Sequence, residues 1–217
     1  QYEPADCRRV FPNFEQPDLK AVFNFRITAP RDWVVSSNGV LESEVSVPTD
    51  SNIVKRVFAP TERISTYITA VLAGEYFTVT DTYKPQSITN SGDIPLVAYC
   101  RHSLKPHFDY DNIFRVTKNG LDFFQDLFDY PYPYPKYEQA FVPEYNIGAM
   151  ENPGLVTFTE DFIFVSGATE DDLEGRANTI CHEISHMWFG DLVTMKWWDD
   201  LWLKESFADF MGALGAI

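Results

Sequence analysis

The sequence is short of positive charge and has no long apolar run. Its 17 lysines and arginines face 32 acidic residues, for a formal net charge of −15. Phosphate contacts need clustered lysine and arginine, which this chain lacks, so we expect no nucleic-acid binding. No stretch approaches the roughly 20 apolar residues that cross a bilayer, so we expect no membrane contact of that kind. The charge suits a cationic ligand better, although an acidic soluble surface is the explanation that we favour for it.

Cysteine is scarce as well. The three cysteines, Cys7, Cys100 and Cys181, do not have the C-x-x-C spacing of metal sites. An odd number without that spacing favours reduced thiols, and we therefore expect a cytoplasmic location. The chain begins at Gln1 without an initiating Met or a signal pattern, and we interpret it as a piece of a longer protein. It contains no internal repeat or low-complexity segment, and nothing in it indicates an oligomeric state.

The first half of the chain has the period-two pattern of β-strands. Phe23, Phe25 and Ile27 alternate with polar residues, as expected of a strand with one buried face. Further β-rich runs, separated by turn signals and prolines, cover residues 33–35, 54–58, 67–72, 76–80 and 96–99. This half predicts an antiparallel sheet or sandwich.

After residue 101 the apolar spacing becomes that of helices. Residues 111–128 predict an amphipathic helix. The proline-rich run 131–135 is either a rigid connector, which we favour, or a ligand for proline-recognition modules. Two strands are predicted next, at 138–142 and 155–158.

A second helix is predicted to open at Thr169, with Asp172 as its capping-box partner and Gly190 as its C-terminal stop. An apolar-rich segment at 201–214 predicts a third helix. The change of pattern near residues 102–107 predicts two domains, residues 1–103 and 104–217, and an α+β fold.

The second helix carries a candidate metal site. His182 and His186 are four residues apart, so both imidazoles can reach one ion from the same helix face. A bare pair of this kind is often only two polar residues on a partly exposed face. Here Glu183 lies between them, and Glu205 follows 19 residues after His186. Three protein ligands plus water are typical of catalytic zinc, so we predict one zinc ion with Glu183 as its neighbouring base.

A ligand histidine usually donates its other ring nitrogen to a carboxylate or carbonyl. Asp209, one turn after Glu205, is a candidate for that partner. A solvated acidic residue on the helix surface is the equal alternative for Asp209.

Upstream of this motif, Gly148-Ala149-Met150-Glu151-Asn152 resembles the GAMEN signature of the aminopeptidase N family of zinc metallopeptidases. The zinc motif, the eighteen-residue spacer and Glu205 fit that family, as does the stretch that opens at Glu3. The resemblance covers essentially the whole chain. It implies that an N-terminal antiparallel β-sandwich-like part precedes the first part of a thermolysin-like catalytic domain, a small sheet plus zinc-binding helices, truncated at its end.

The resemblance also implies an activity: zinc-dependent hydrolysis of the N-terminal peptide bond of peptides with a free N-terminus. In that family the backbone of the segment matching Gly148, Ala149 and Met150 pairs with substrate, and the glutamate matching Glu151 binds the α-amine. Taken alone, the segment is better explained as a strand followed by a turn, and the zinc motif is what favours the functional interpretation. Gln1 and Glu3 match positions of the family's amine pocket.

Two departures from the family qualify these expectations. The family has a tyrosine downstream of the zinc glutamate that stabilises the oxyanion, whereas this sequence has no tyrosine after Tyr145. Losing an oxyanion donor typically costs about 10²–10³ in rate, so we expect these residues alone to be weakly active or inactive. Lys204 stands where we expect asparagine.

Three rival functions stay open. A non-catalytic relative could keep this fold as an interaction module, although intact metal and base residues argue against it. A bifunctional relative of the leukotriene hydrolase type would add epoxide hydrolysis to the same residues. A thermolysin-like endopeptidase shares the metal site but lacks the amine anchor.

Overall fold

A computed structural model describes residues 1–86 and 92–216. The strands of this part of the chain are β1 (Arg26–Pro30), β2 (Val34–Ser37), β3 (Leu41–Val47), β4 (Asp50–Phe58), β5 (Val71–Gly74), β6 (Tyr76–Tyr83), β7 (Ile94–Arg101), β8 (Tyr137–Val142), β9 (Ala149–Met150) and β10 (Val156–Thr159). The α-helices are α1 (Tyr110–Phe128), α2 (Glu170–His186) and α3 (Leu201–Gly215). A β-rich first part and a helical later part confirm the predicted α+β class.

The N-terminal part contains a three-stranded antiparallel sheet, in the order β1-β4-β3, and a two-stranded sheet of β2 and β5. Phe23, Phe25 and Ile27 are half-buried, and the polar residues between them are exposed, as the alternation predicts. The hydrogen-bonded strand of that segment starts only at Arg26, the first residue of β1. The predicted strand at 67–72 was wrong in its first half, which forms a 3-10 turn over Thr66–Ile68 that buries Tyr67.

A mixed five-stranded sheet, in the order β6-β7-β8-β10-β9, forms the floor of the second part. β7 pairs with β8 in parallel, and β8 pairs with β10 in parallel. A parallel pair needs a long crossover, which α1 supplies between β7 and β8. The strand pairs within the first half of the chain are antiparallel, as predicted, and parallel pairing enters this five-stranded sheet where β7 meets β8 of the second half. Because this sheet joins strands from both sides of residue 103, the boundary proposed there stays a prediction.

The three helices lie where the apolar spacing predicts them, and the bounds of α1 and α3 differ from the prediction by one residue. Helix α2 ends at His186, because the N–H groups of Met187 and Trp188 bond only three residues back and the chain leaves the helix there. The prediction of Gly190 as the stop of this helix was therefore wrong.

At the start of α2 the Thr169 hydroxyl accepts a hydrogen bond from the Asp172 N–H at 3.2 Å, and the Asp172 carboxylate accepts one from the Thr169 N–H at 2.9 Å. This confirms the predicted capping box. Apolar residues of the helices pack against the sheet in one core that includes Ile113, Leu121, Phe124, Phe141, Phe158, Ile180 and Ile184.

The proline-rich run belongs to the folded structure. Tyr132 and Tyr134 are buried, and the Tyr132 hydroxyl donates to the Lys136 carbonyl at 2.9 Å. This supports the connector interpretation. Cys7, Cys100 and Cys181 are all buried and form no disulfide. Within the described residues, no helix has the length and apolar character that a membrane span requires.

Candidate metal centre and substrate cleft

Helices α2 and α3 bring the predicted metal ligands together. The Nε2 atoms of His182 and His186 face each other at 3.0 Å. From α3, Glu205 places its two carboxylate oxygens 3.6 Å from the His182 Nε2 and 3.7 Å from the His186 Nε2. Gly212 allows this close approach, because a Cβ there would lie only 3.0 Å from the Asn178 carbonyl oxygen of α2. Three donor atoms from two helices therefore point at one position.

The outer nitrogens of both histidines have acceptors. The Nδ1 of His186 lies 2.9 Å from the Phe189 carbonyl oxygen, and the Nδ1 of His182 lies 3.1 Å from an Asp209 carboxylate oxygen. Carbonyl and carboxylate oxygens only accept, so each Nδ1 carries the proton and each Nε2 keeps a lone pair. Burial lowers the pKa of His186 to about 4, so that ring is neutral at pH 7. The contact of Asp209 is the one proposed for it from sequence.

The donor set fits zinc. Two imidazole lone pairs and a carboxylate at these distances repel one another unless a cation lies between them. Zinc accepts neutral imidazole nitrogen and carboxylate oxygen at about 2.0–2.2 Å, in sites that separate its ligands by a few ångströms. Burial raises the pKa of Glu205, but the contact with His182 and the charge of Lys204 outweigh it and keep the pKa well below its usual range. Glu205 therefore offers an ionised carboxylate to the candidate metal position.

Glu183 is buried beside the histidines, with 4% of its surface exposed. Its Oε2 has no hydrogen-bond partner among the described residues. Burial raises the pKa of Glu183 well above its usual value, and the negative charges of Glu151 and Glu205 add to the rise. A carboxyl group with a free oxygen and an elevated pKa is suited to accept and return a proton.

A cavity of about 420 Å³ opens over this centre. Its lining includes all four residues of the zinc motif and, on the opposite side, Gly148, Ala149, Met150 and Glu151. These last residues form or flank β9, which pairs antiparallel with β10 and is the outermost strand of its sheet. Within the described residues, the second edge of β9 has no strand partner. The cleft therefore combines the candidate metal centre with an open strand edge.

Glu151 follows β9 directly and is 3% exposed. Its Oε1 lies 2.5 Å from the Lys204 Nζ and 3.4 Å from the Tyr67 hydroxyl. Burial alone would raise the pKa of Glu151, but the Lys204 charge outweighs it and lowers the pKa. Glu3 also lines the cavity, and its Oε1 lies 2.8 Å from the Lys204 Nζ.

Gln1 does not line this cavity. Its side-chain oxygen accepts a hydrogen bond from the Glu3 N–H at 2.8 Å, and the residue borders a neighbouring cavity of about 250 Å³. The structure therefore places Glu3 beside Glu151 and places Gln1 at the neighbouring cavity. The role of Gln1 in an amine pocket stays a prediction.

Sequence reasoning missed Tyr67 and Lys204, two buried residues that contact Glu151. Tyr67 lies in a run with a strand-like pattern, and nothing in that pattern indicates a contact with Glu151. Lys204 was noticed only as a departure from an expected asparagine. Its contacts to Glu151 and Glu3 join positions 53 and 201 residues apart, and no local pattern carries that information.

The fold and the cleft define a class: hydrolase domains that carry His-Glu-x-x-His on one helix and a third acidic ligand on the next. Residues 113–216 match the model of the peptidase family M1 domain, and residues 1–68 match that of the peptidase M1 N-terminal domain. The chain belongs to peptidase family M1. The predicted boundary at residue 103 falls in the interval between the two matches.

The named relatives of this chain agree with that family. The chain is 52% identical over 213 residues to aminopeptidase N of Streptomyces lividans, covering 98% of this chain and 24% of the relative. It is 36% identical over 219 residues to aminopeptidase N of Homo sapiens, covering 100% of the chain and 22% of that protein. Glutamyl aminopeptidase of Rattus norvegicus is 34% identical over 216 residues, and the match covers 99% of this chain and 22% of that protein. The chain thus spans about a quarter of the length of these relatives.

Proposed function

We propose that the protein is a zinc-dependent aminopeptidase that hydrolyses the first peptide bond of peptides with a free N-terminus. One observation carries this proposal: Glu151 shares a single cavity with the converging donor atoms of His182, His186 and Glu205. The names of the relatives add support, because those proteins are called aminopeptidases.

His182, His186 and Glu205 would hold one zinc ion, and Asp209 and the Phe189 carbonyl keep the two imidazoles in the required tautomer. When bound, zinc supplies a Lewis acid and lowers the pKa of a coordinated water towards about 7. Glu183 accepts the proton of the attacking water at its free oxygen and delivers it to the leaving amine. Burial raises the pKa of Glu183, which makes its carboxylate a stronger proton acceptor.

Glu151 gives the reaction its end specificity. A carboxylate at a fixed distance from the metal ligands selects a charged N-terminus by a charge-assisted hydrogen bond. The open edge of β9 offers backbone donors and acceptors that align the peptide in the cleft. A thermolysin-like endopeptidase needs no such carboxylate, so Glu151 favours removal of end residues.

We further propose that this chemistry takes place in the cytoplasm. Three buried cysteines without a disulfide support a reducing compartment.

The test of this function uses the full chain that contains these residues. Replacing the proton carrier, Glu183→Ala, should keep zinc and reduce turnover of L-leucine amide by about 10²–10⁴-fold. His186→Ala is the matched variant that should lose zinc as well as turnover. Zinc content is measured by atomic emission and turnover by ammonia release. Full activity of Glu183→Ala contradicts the proposal.

A further inference from the structure

Lys204 is a buried cation shared by three carboxylates. Only 3% of its side chain is exposed. Its Nζ lies 2.5 Å from Glu151, 2.6 Å from Glu205 and 2.8 Å from Glu3. It also lies 5.3 Å from the centroid of the Tyr67 ring, within the range of a cation–π contact. Every close partner of this ammonium group therefore favours positive charge.

These carboxylates could not lie together without such a cation. Ligand oxygens of Glu3, Glu151 and Glu205 all lie within 4.8 Å of one another, and like charges at that separation repel strongly in a buried site. Glu205 also faces the two histidines, whereas Lys204 is the one cation within the described residues that forms an ion pair with Glu151 and Glu3. In the protein without substrate, Lys204 thus supplies the positive charge that these two residues require.

The α-amine of a peptide brings the same chemical group into the cleft. It is a primary ammonium, as the Lys204 side chain is, and by the proposed function it binds Glu151. Two ammonium groups beside one carboxylate repel each other, so the substrate amine must share Glu151 with Lys204 or displace it. A neutral side chain at position 204 would impose no such competition.

We propose that Lys204 is a specificity-determining residue that competes with the substrate's α-ammonium for Glu151 and Glu3. It lowers the affinity for the amine, and it reduces the preference for charged over uncharged N-termini. This inference rests on the proposed function of Glu151 as the amine anchor.

The experiment compares two small probes as inhibitors of L-leucine amide turnover by the full, zinc-loaded chain. Isoamylammonium chloride carries the amine, and isoamyl alcohol has the same carbon skeleton without charge. In Lys204→Asn and Lys204→Met, we expect the ammonium inhibition constant to fall about tenfold and that of the alcohol to stay unchanged, because a competing charge is removed. Zinc content should not change.

Lys118→Met is the matched control. Lys118 forms an ion pair with Asp81 at 2.6 Å outside the cleft, so its loss should alter neither inhibition constant. An ammonium inhibition constant that is unchanged or higher in Lys204→Asn, with zinc retained, overturns the inference.

A structure of the unmodified protein tests the same competition if the variants do not fold. With isoamylammonium bound, the Lys204 Nζ should move away from Glu151. A bound amine at Glu151 with Lys204 still in hydrogen-bond contact there would contradict competition.

Glu151→Gln separates failure of this inference from failure of the proposed function. If this variant binds ammonium and alcohol as the unmodified protein does, the amine anchor itself is wrong. If it loses ammonium inhibition while Lys204→Asn does not strengthen it, only the inference about Lys204 is wrong.

Discussion

The two ends of helix α2 hold carboxyl groups in opposite surroundings. At the N-terminal end Asp172 lies at the surface, and hydrogen bonds from the Thr169 backbone and hydroxyl lower its pKa. At the C-terminal end Glu183 is buried among other carboxylates, and its pKa is raised well above the usual value. The first end stabilises the helix, whereas the second carries an electrostatic cost that suits the proton transfer proposed for Glu183. The residues of α2 that stabilise the helix and the residues proposed for catalysis therefore lie at opposite ends.

In the buried cleft at the C-terminal end of α2, the proposed amine anchor Glu151 should show a larger effect than the surface end of the helix. Glu151→Gln keeps the shape of the side chain but removes its charge. Because a hydrogen bond to a charged group contributes about 1.5–3 kcal/mol, kcat/KM for L-leucine amide should fall by about 100-fold. N-acetyl-L-leucine amide should be turned over as poorly as before. If the ratio of the two rates does not change, Glu151 does not select the charged N-terminus.

The turn that follows α2 should show a smaller effect. Gly190 has a φ of 137°, a region that other residues rarely adopt, and a Cβ there would lie 3.1 Å from the His186 Nδ1. Gly190→Ala should therefore destabilise the protein by about 1–3 kcal/mol and disturb the hydrogen bond between His186 and the Phe189 carbonyl. Urea unfolding and zinc titration measure the two effects.

Gly175→Ala provides the control for that substitution. A Cβ at Gly175 meets no atom within 4 Å, so alanine should stabilise α2 by up to about 1 kcal/mol. Equal destabilisation by both variants would show that backbone strain at Gly190 is not the cause.

The smallest effect is expected at the surface end of α2. Thr169→Ala removes the cap and should cost about 1 kcal/mol in the free energy of unfolding, with no change in zinc content. Thermal unfolding monitored by circular dichroism measures this cost.

The same end should respond to pH in a defined direction. The pKa of folded Asp172 is below its ordinary value of 3.8, so its stabilising contribution is present above that value and is lost as pH falls through the folded pKa. The difference in melting temperature between the unmodified protein and Asp172→Asn should therefore be present at pH 6 and disappear in acid. A difference that persists in acid would contradict the role of the ionised carboxylate.

The two ends of α2 also show what the sequence could predict. The capping box depends on residues three apart, and the histidine pair on residues four apart, so local spacing was enough for both. Glu205 was found because a zinc site needs a third ligand and the following helix offers one. The contacts of Lys204 were not found, because they depend on how β9, α3 and the N-terminal segment meet in three dimensions.

The strands show the same limit. β7 and β8 were both predicted, but their parallel pairing depends on the crossover through α1 rather than on either strand's pattern. β3 was missed because nearly all of its residues are exposed. A strand with no buried face does not need alternating apolar residues, so its sequence shows no such pattern.

The two-residue length of β9 also affects the tendency of the protein to aggregate. An open strand edge is a template on which other chains can assemble, and the hazard grows with the length of the unpaired edge. An edge of two residues, set within a cleft, offers enough main-chain groups to hold one peptide in an extended form. It is too short to nucleate a sheet between molecules. The brevity of β9 therefore also protects the protein from aggregating through that edge.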